Sequence, residues 1–466
     1  MSRKRKRKRS TPLAHLRRSL KLRRWGTLAT LLILIGGTLA ALITGLPGCE
    51  STPSASPIAT SGMRVSAVQT EPMVRVRVRR AVPSIELSAP GGLRVGPAAP
   101  SQQRILPGPL RVSHDGTQFV LTPVVPGTAA NPPLGWTLPS LTVSAAQGDT
   151  VSLDRQAYPA TVVIHAVAPT TAGQPFFVDA INHVPMERYL PGVLSKELYA
   201  SWHYEAYRAQ AITARSYAIH GLSGSRSRHF DLESTQASQA YLGAGAHPKA
   251  IEAVRTTRGI ILAHGDDVLQ AYYSSCSGGT GQDAVAIFPR QRDVPPLRGK
   301  MQGDWGKESP YFRWSLTAPR VLLSRRMSEW GKANGHPIAG LQLIREVRTT
   351  ATNSIGRPTQ LTVFDQSGKS FALNAEQFRF AGNYDGPAYA GARPATALPP
   401  LDAKQMFRSS HVVVSVTQND VLVNGAGYGH GVGLCQYGAE AMAKQSHSAQ
   451  AILQFYYPGA DLRQAY

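Results

Sequence analysis

Cysteine is scarce in this chain of 466 residues, which contains three, Cys49, Cys276 and Cys435. None belongs to a CxxC pair, and no Cys/His spacing typical of a zinc site is present. Three cysteines allow at most one bridge and one free thiol, so they cannot define a disulfide framework. With 42% hydrophobic residues, the chain has enough apolar side chains to build an ordinary core.

Acidic residues are also few, with 28 Asp and Glu against 50 Lys and Arg and a formal net charge of +22. The excess is concentrated in Met1–Arg24, which holds twelve basic residues and no acid, so the rest of the chain carries +10. A basic body suits an anionic polymer, such as a cell-wall glycan, teichoic acid, a membrane surface or nucleic acid. A solvated basic surface is the simpler alternative, because charge alone has little specificity.

A long uncharged run follows the basic segment. Trp25–Leu46 has 22 residues without charge, which is long enough to span a bilayer with the basic flank on the cytoplasmic side. The run is a signal peptide or a signal anchor, or it belongs to a lipoprotein, because Leu46-Pro-Gly-Cys49 resembles a lipobox. All three alternatives place the body outside the cytoplasm, in a bacterial cell envelope and held at the membrane. Since the basic run Arg3–Arg9 then flanks a membrane segment, we predict no nucleic-acid partner.

The composition divides the chain into four segments. We predict a basic cytoplasmic tail (1–24), a transmembrane or signal segment (25–48), a flexible Ser/Pro-rich tether (49–72) and a folded body (73–466). In the body, Val74–Val78 alternates valine and arginine with the period of a strand, and short β-like runs continue to about Ala180. A helical middle and further short strands follow. Runs of strands around a helical middle predict an α+β fold, with mixed strands around a central helical segment that carries the functional cleft.

This central segment reads as two helices with a carboxylate, Glu197, at their joint. The first helix is predicted over Met186–Leu198, and the second from Trp202 to just before Gly221, with Ser201 as its cap. Four small or apolar residues recur at helical spacing on the second helix and predict a buried face: Ala209, Ile212, Ser216 and Ile219.

Arg215 lies on this buried helix. A buried cation needs an anionic partner, and Glu197, Glu205 and a bound substrate are the candidates.

Two glycine-rich stretches carry further polar residues. Ala271–Thr280 combines hydroxyls with paired glycines, which let a ligand approach the backbone closely, although a glycine-rich turn is the plainer interpretation. In Asn424–Ala439, alternating glycines surround His430 in a spacing that does not fit a dinucleotide-binding motif. A lone histidine is usually structural. The glycines expose the surroundings of this one, so a structural and a functional role are equally supported.

Together these stretches resemble the stage II sporulation protein D (SpoIID/LytB) family of peptidoglycan-acting proteins. The likeness is carried, in order, by VPMERYLPGVLSKEL, EAYRAQAITARSYA, TQASQAYLGA, AVRTTRGIIL, YYSSCSGGTG, GYGHGVGLCQYGAEAMA and ILQFYYPGADL. It extends from about Met73 to Tyr466. Characterised members are lytic transglycosylases, which cleave between N-acetylmuramic acid and N-acetylglucosamine. The resemblance therefore implies that 73–466 is a catalytic region acting on peptidoglycan glycan strands.

By motif, the family's catalytic glutamate falls on Glu197 and its functional arginine on Arg215. Such an enzyme uses one glutamate as acid and then as base on the C6 hydroxyl, which closes a 1,6-anhydro ring without water. The acid role requires a pKa raised by burial beside apolar residues. Without the resemblance, a helix-end salt bridge to Lys196 or Arg208 is the simpler role for Glu197. The predicted substrate contacts are Gln210, Ser277, Gly278, Gly279, Thr280, His430 and Gln436.

The chain departs from the family at one site. Some members carry a His/Cys zinc site just after the central helix, but the corresponding segment His229–Tyr241 contains no cysteine. We therefore predict neither this zinc site nor any other metal or cofactor.

Three functions compete with the lytic transglycosylase. The first is a non-catalytic wall-binding module that enhances an amidase or autolysin, which makes an amidase a candidate partner. The second is a hydrolase with Glu205 as its second carboxylate. The third and most distant is a Cys/His hydrolase that uses Cys276 and His430.

Cys276 and Cys435 each lie inside a glycine-rich motif, and the resemblance places both motifs beside Glu197. A bridge between them would persist outside the cytoplasm and would hold the two stretches together. Buried free cysteines are the alternative, since sequence spacing does not establish the approach that a disulfide requires.

Overall fold

We describe the protein from a computed structural model, which covers residues 63–124, 134–169, 174–225, 227–288, 291–387, 394 and 396–466. The predicted basic tail, the membrane or signal segment and most of the tether lie outside the described residues. Within the described ranges, no helix is long and apolar enough to cross a membrane. The architecture is α+β, as predicted, with several mixed sheets and eight α-helices among the described residues.

The first part of the body consists of two large sheets. The seven-stranded sheet has the order β13-β1-β12-β11-β8-β3-β4, and the six-stranded sheet has the order β10-β9-β2-β5-β6-β7. Their strands are β1 (Met73–Val82), β2 (Ile85–Ser88), β3 (Leu93–Gly96), β4 (Arg104–Leu106), β5 (Leu110–His114), β6 (Phe119–Pro123), β7 (Leu134–Trp136), β8 (Ser140–Ala145), β9 (Thr150–Leu153), β10 (Gln156–Pro159), β11 (Thr161–Val167), β12 (Phe177–Pro185) and β13 (Leu232–Glu233).

The predicted first strand is confirmed as β1, and its alternation explains its position. Val74 and Val76 are fully buried in the core that the two sheets share. The arginines between the valines point the other way: Arg75 pairs with Asp231, and Arg77 pairs with Asp179 and Glu233. Period-two alternation therefore gives this strand one apolar face and one ion-paired face.

The helical middle packs against these sheets and against the C-terminal region. Its helices and those that follow are α1 (Met186–Glu197), α2 (Tyr204–Ser223), α3 (Pro248–Thr256), α4 (Ala284–Ile287), α5 (Arg320–Asn334), α6 (Ala375–Gly382), α7 (Gln436–Lys444) and α8 (Ala449–Tyr456). The small-residue face predicted on α2 is buried, with Ala209, Ser216 and Ile219 fully inaccessible. One side of α2 packs with α1 and the sheets, and the other side packs with α7 and α8.

Four small sheets complete the fold. They are β15-β14-β24, β16-β23, β17-β22-β21 and β18-β19-β20. Their strands are β14 (Ile260–His264), β15 (Asp267–Val268), β16 (Tyr273–Ser274), β17 (Trp314–Pro319), β18 (Ile344–Thr352), β19 (Pro358–Asp365), β20 (Ser370–Asn374), β21 (Val412–Val416), β22 (Asp420–Gly425), β23 (Leu434–Cys435) and β24 (Asp461–Gln464). The segment 314–423 has a hydrophobic cluster of its own, formed by α5, α6 and the last two of these sheets.

The β16-β23 pair determines the position of the site. It is parallel, with Tyr273 opposite Leu434 and Ser274 opposite Cys435. Each strand belongs to one of the two glycine-rich stretches, so this pairing brings together two motifs that are far apart in the sequence.

Candidate active site

Glu197 is the last residue of α1, and its carboxylate is held by two hydrogen-bond donors from distant parts of the chain. Its Oε1 accepts from the backbone N–H of Ala240 at 2.9 Å. Its Oε2 accepts from Nε2 of Gln436, the first residue of α7, at 3.3 Å. Glu197 therefore lies where α1, the segment after β13 and the second glycine-rich motif meet.

A glycine in α1 allows one of these donors to come close. Gly192 is buried, and its carbonyl accepts from the N–H of Leu242 at 3.2 Å. A Cβ at position 192 would lie 2.5 Å from the carbonyl oxygen of Gly243. The absent side chain therefore lets the segment 240–243 pack directly against α1, which positions the N–H of Ala240.

A hydrogen-bonded chain lies behind the carboxylate. Tyr189 donates its hydroxyl to Oε1 of Gln239 at 3.3 Å, and Nε2 of Gln239 donates to the Tyr273 hydroxyl oxygen at 3.1 Å. Because that oxygen already accepts, the Tyr273 hydrogen is available to Glu197, with which it interacts.

The balance of these effects raises the pKa of Glu197. Burial dominates, because it disfavours the charged carboxylate. The N–H of Ala240, Gln436, Tyr273 and the charge of Lys196 all oppose this effect without outweighing it. The carboxyl group thus keeps its proton to a higher pH than an exposed glutamate. The alternative role for Glu197 is a salt bridge to Lys196 or Arg208. The structure does not form the bridge to Arg208, which pairs with Glu205 instead.

Arg215 has a different partner from those the sequence suggested. Its guanidinium is fully buried and forms a two-pronged ion pair with Glu187, with Nε–Oε1 and Nη2–Oε2 distances of 2.8 Å each. Its remaining donors reach the carbonyls of Ile260 and Val254. Glu187 and Glu197 are ten positions apart, which is about 15 Å along a helix, so this ion pair lies at the opposite end of α1 from Glu197. The structure does not bring Arg215 to the predicted site.

Glu205 is also occupied by other groups. It pairs with Arg208 at 3.0 Å, and its Oε2 accepts from the N–H of Ala449 at the start of α8 at 2.6 Å. Burial on its own would raise the pKa of Glu205, but these two partners outweigh burial and lower it. Glu205 therefore remains ionised and holds α8 in place.

Gln210, a predicted substrate contact, is buried in α2 with 1% of its surface exposed. Neither of its amide atoms has a hydrogen-bond partner among the described residues. The structure places this side chain inside the core, and its role as a substrate contact stays a prediction.

The first glycine-rich stretch packs against the protein itself. Ser277, Gly278 and Gly279 are buried. A Cβ on Gly278, whose φ is +70°, would lie 2.6 Å from the backbone of Ala426 and Gly427. The glycines thus permit a close approach, as predicted, but the approaching backbone is that of the second glycine-rich stretch. Thr280 is partly exposed, and its Oγ1 lies 3.2 Å from Nδ1 of His411.

His430 packs edge-to-face against two aromatic rings. Its ring centroid is 5.3 Å from that of Phe288 and 6.0 Å from that of Tyr272, and its Nδ1 accepts from the N–H of Val432 at 3.0 Å. Burial lowers the pKa of His430 to about 4, so the ring is neutral at physiological pH. In the described chain its contacts do not include Glu197, whereas the predicted residue Gln436 does contact that carboxylate.

The segment 177–264, which includes β12, α1, α2 and Glu197, matches the family model described as Stage II sporulation protein. Stage II sporulation protein D from Bacillus subtilis (strain 168) is 24% identical over 309 residues, which are 61% of this chain and 76% of that protein. The same-named protein from Bacillus amyloliquefaciens is 25% identical over 304 residues, again 61% of this chain and 76% of that protein.

The chain is thus similar to the stage II sporulation protein D family.

A further relative has a different name. The Amidase enhancer of Bacillus subtilis (strain 168) is 28% identical over 293 residues, which are 59% of this chain. The match covers 40% of that protein, so this chain corresponds to less than half of the relative's length.

Sequence reasoning missed one arginine that holds the two glycine-rich stretches together. Arg357 is fully buried, and its Nη1 donates to the carbonyls of Ser277 and Thr280 at 2.9 and 2.5 Å. Its Nη2 donates to the carbonyl of His430 at 3.1 Å. A single guanidinium thus holds both glycine-rich stretches, and burial lowers its pKa to about 10. A lone arginine before a proline carries no sequence signal for this role.

The structure brings the two cysteines of the motifs together as free thiols. Cys276 and Cys435 are buried, and a Cβ on Gly306 would lie 3.1 and 3.4 Å from their sulfurs. The predicted proximity is confirmed, and no bridge is formed in this structure.

His229 lies in the segment His229–Tyr241, for which we predict no zinc site. Here its Nε2 bonds to Asp179 at 2.9 Å. In the part of the chain that the structure describes, no group of three or more His, Cys, Asp or Glu side chains is arranged to hold a metal ion.

Proposed function

We propose that this protein is a lytic transglycosylase of the bacterial cell envelope, which cleaves peptidoglycan glycan strands and leaves 1,6-anhydro-N-acetylmuramic acid ends. The observation that supports this most directly is the environment of Glu197. Its pKa is raised by burial, and it is surrounded by donors that can stabilise the carboxylate after it has lost a proton.

The reaction needs one group that gives a proton and takes one back. Protonated Glu197 donates its proton to the glycosidic oxygen, and the bond from that oxygen to C1 of N-acetylmuramic acid breaks. The resulting carboxylate is held by the Ala240 N–H and Gln436, and it then removes the proton from the C6 hydroxyl of the same sugar. The C6 oxygen bonds to C1, the anhydro ring closes, and Glu197 is protonated again. No water is consumed.

The engagement of Glu205 favours this reaction over hydrolysis. Glycoside hydrolases generally use two carboxyl groups, one of which activates water or attacks the sugar. Glu205 is ionised, but its oxygens are taken up by Arg208 and the N-terminus of α8. We therefore assign the acid and base roles to Glu197 alone and assign Arg215 to the fold.

The test is a peptidoglycan digest with the wild type and Glu197→Gln side by side, analysed by mass spectrometry. We expect the wild type to release anhydro ends and the variant to lose activity by a thousandfold or more, with unchanged circular dichroism. Reducing ends would indicate a hydrolase. Wild-type turnover by Glu197→Gln would overturn the single-glutamate mechanism.

A second candidate is a non-catalytic module that binds the wall and enhances an amidase. The name of the Amidase enhancer relative favours it. In that case neither protein alone would generate new glycan ends, and adding this chain would accelerate a cell-wall amidase with Glu197→Gln as effective as the wild type.

We also propose that the body lies outside the cytoplasm, attached to the membrane through 25–48. Fractionation and protease accessibility of intact spheroplasts test this. Full-length chain recovered in the cytosol would contradict it. Labelled palmitate that is incorporated in the wild type and absent in Cys49→Ser would identify a lipoprotein rather than an anchor.

A further inference from the structure

We propose that Tyr199, Trp202 and Tyr437 form an aromatic platform that stacks against a sugar ring of the glycan next to the cleaved bond. This rests on the proposed function and deepens it, because it assigns substrate binding to three residues that are not among the predicted substrate contacts.

The platform begins with an exposed tyrosine. Tyr199 follows Glu197 by two residues, and 53% of its surface is accessible, so a ligand in solution can reach its ring. Its neighbour Trp202 is 8% exposed and packs against the Tyr199 ring, with the two ring centroids 5.4 Å apart.

Tyr437 completes the platform from a distant part of the chain. Its ring centroid lies 5.0 Å from that of Trp202 and 6.3 Å from that of Tyr199. Tyr437 directly follows Gln436, which donates to Glu197. The aromatic cluster therefore contains one residue close in the chain to the carboxylate of Glu197 and one residue next to its donor Gln436.

The turn that presents Tyr199 is fixed by hydrogen bonds. Its carbonyl accepts from the Tyr207 hydroxyl and from the N–H of Trp202, both at 3.0 Å. Nζ of Lys249 donates to the carbonyl of Ala200 at 2.9 Å. A ring on a fixed turn loses little conformational freedom when a ligand binds, which is the condition for an efficient contact.

The chemistry of the rings suits a pyranose. A β-linked N-acetylhexosamine presents C–H groups on its faces and hydroxyl and acetamido groups at its edges. Tyrosine and tryptophan match this pattern, since their faces are apolar and their polar atoms lie at the ring edge. Because Tyr199 and Tyr437 lie on the same segments as Glu197 and its donor Gln436, the occupant that fits the platform is a sugar of the strand being cleaved.

The test separates binding from turnover by using the full-length chain in the Glu197→Gln background. Calorimetric titration with glycan strands freed of stem peptides measures affinity without cleavage. We expect Tyr199→Ala to weaken binding about tenfold, and Tyr199→Phe, which keeps the ring, to remain within about twofold. Val321→Ala, at a 70% exposed position on α5, is the matched control and should bind as well as its parent.

A kinetic measurement in the active enzyme excludes a structural cause. Tyr199→Ala should raise KM about tenfold with little change in kcat or in the melting temperature, because the side chain is exposed. Unchanged glycan affinity in Tyr199→Ala, or no glycan binding at all, would overturn the platform. If wild type still releases anhydro ends in that case, the proposed function stands without it. Tyr199-dependent binding without any glycan cleavage would instead retain the platform and reject the transglycosylase.

Discussion

At the scale of single residues, Glu197 and Arg215 differ in the partners that surround them. The donors around Glu197 are neutral, and they do not outweigh the burial that raises its pKa. Arg215, by contrast, has its charge neutralised by Glu187. The first arrangement suits a group that exchanges protons, and the second suits a group that holds two elements together.

The pH dependence of activity follows from the raised pKa of Glu197. A general acid works when protonated, so kcat/KM should fall as pH rises through this pKa. Tyr273→Phe removes a donor to the carboxylate, which raises the pKa of Glu197 further, so the alkaline limb should move to higher pH. Tyr204→Phe, whose hydroxyl bonds to Thr256 at 2.8 Å, is the control and should leave the limb in place. An alkaline limb that stays fixed or moves to lower pH in Tyr273→Phe would contradict the assignment.

The raised pKa of Glu197 also predicts how the stability of the fold changes with pH. A carboxyl group whose pKa is raised on folding favours the folded state below its unfolded pKa, and this contribution is lost as pH rises through the folded pKa. Glu197→Gln removes the cost of an ionised buried carboxylate, so it should raise the melting temperature at neutral pH by a few degrees. Calorimetry should show the gain shrinking as pH falls toward 4. A variant that is less stable than wild type at every pH would show that the carboxylate is chiefly structural.

Arg215 should contribute to stability rather than to the reaction. Arg215→Met leaves Glu187 buried without its partner, which costs about 3–5 kcal/mol in the free energy of unfolding. The double variant Arg215→Met/Glu187→Gln should recover part of this loss, because no lone charge remains. Urea denaturation measures the stabilities, and turnover per folded molecule should stay near wild type. Normal stability with lost turnover would restore Arg215 to the reaction.

At the scale of elements, the sequence predicts helices better than their ends. The start of α1 at Met186 and its extent are predicted almost to the residue. The start of α2 is not: His203, rather than Ser201, caps it by accepting from the N–H of Glu205. The helix also continues past Gly221, because the missing side chain there accommodates Leu232, which would lie 3.0 Å from a Cβ. Both differences arise from local side-chain geometry and tertiary packing, which periodicity does not encode.

The residues of the candidate site also fall into those that the sequence predicts and those that depend on tertiary packing. Glu197 and Gln436 are accessible to sequence reasoning because they lie in recognisable motifs. The Ala240 N–H, the Gln239–Tyr273 chain and the Arg357 clamp are not, because each depends on contacts between segments more than 30 residues apart in the chain. The close approach of another backbone to Gly278 is hidden from sequence reasoning for the same reason, because Ala426 and Gly427 lie far away in the chain.

Gly192 provides a test of this element-level packing. Alanine normally favours a helix interior over glycine by about 1 kcal/mol, but here its Cβ would lie 2.5 Å from the Gly243 carbonyl oxygen. We expect Gly192→Ala to lower the free energy of unfolding by about 1–3 kcal/mol and to reduce turnover, because the segment that carries the Ala240 N–H must move. Urea denaturation and the glycan digest measure the two effects.

The matched control for Gly192→Ala is Gly224→Ala, since no described atom lies within 4 Å of that Cβ. This substitution should be neutral or slightly stabilising. Equal effects at the two glycines would show that close packing at position 192 is not what selects glycine.

At the scale of the whole molecule, the site lies where two hydrophobic clusters meet on α2. Tyr207 and Ala211 face the cluster of the large sheets, while Ala209 and Ile212 face the cluster of α7 and α8. Glu197 lies in the chain between Leu194 and Leu198 of the first cluster, and its donor Gln436 lies between Cys435 and Ala439 of the second. The geometry of the carboxylate therefore depends on how firmly the two are joined.

Cys276 and Cys435 could join the strands of the second cluster covalently, and the compartment would decide whether they do. Hydrogen bonding from Cys276 lowers the pKa of Cys435 to about 7, and the N–H of Gly438 donates to the same sulfur at 3.3 Å. Both thiols are buried in the folded protein, so we expect the exchange to occur before folding is complete, when a thiolate at Cys435 can attack the disulfide of an extracytoplasmic thiol oxidoreductase. Cys276 then displaces the mixed disulfide, so the two cysteines are oxidised and the oxidoreductase is reduced to its dithiol.

We expect non-reducing peptide mapping of the exported protein to recover a Cys276–Cys435 cross-linked peptide. Closing the loop 277–434 would stabilise the fold by up to about 5 kcal/mol, so dithiothreitol should lower the melting temperature by several degrees. The double variant Cys276→Ser/Cys435→Ser should lose that sensitivity while Cys49→Ser retains it. The bridge would also fix β16 against β23, and with them Tyr273 and Gln436 around Glu197. Two free thiols at these positions in exported protein would reject the bridge and leave Arg357 as the clamp between the motifs.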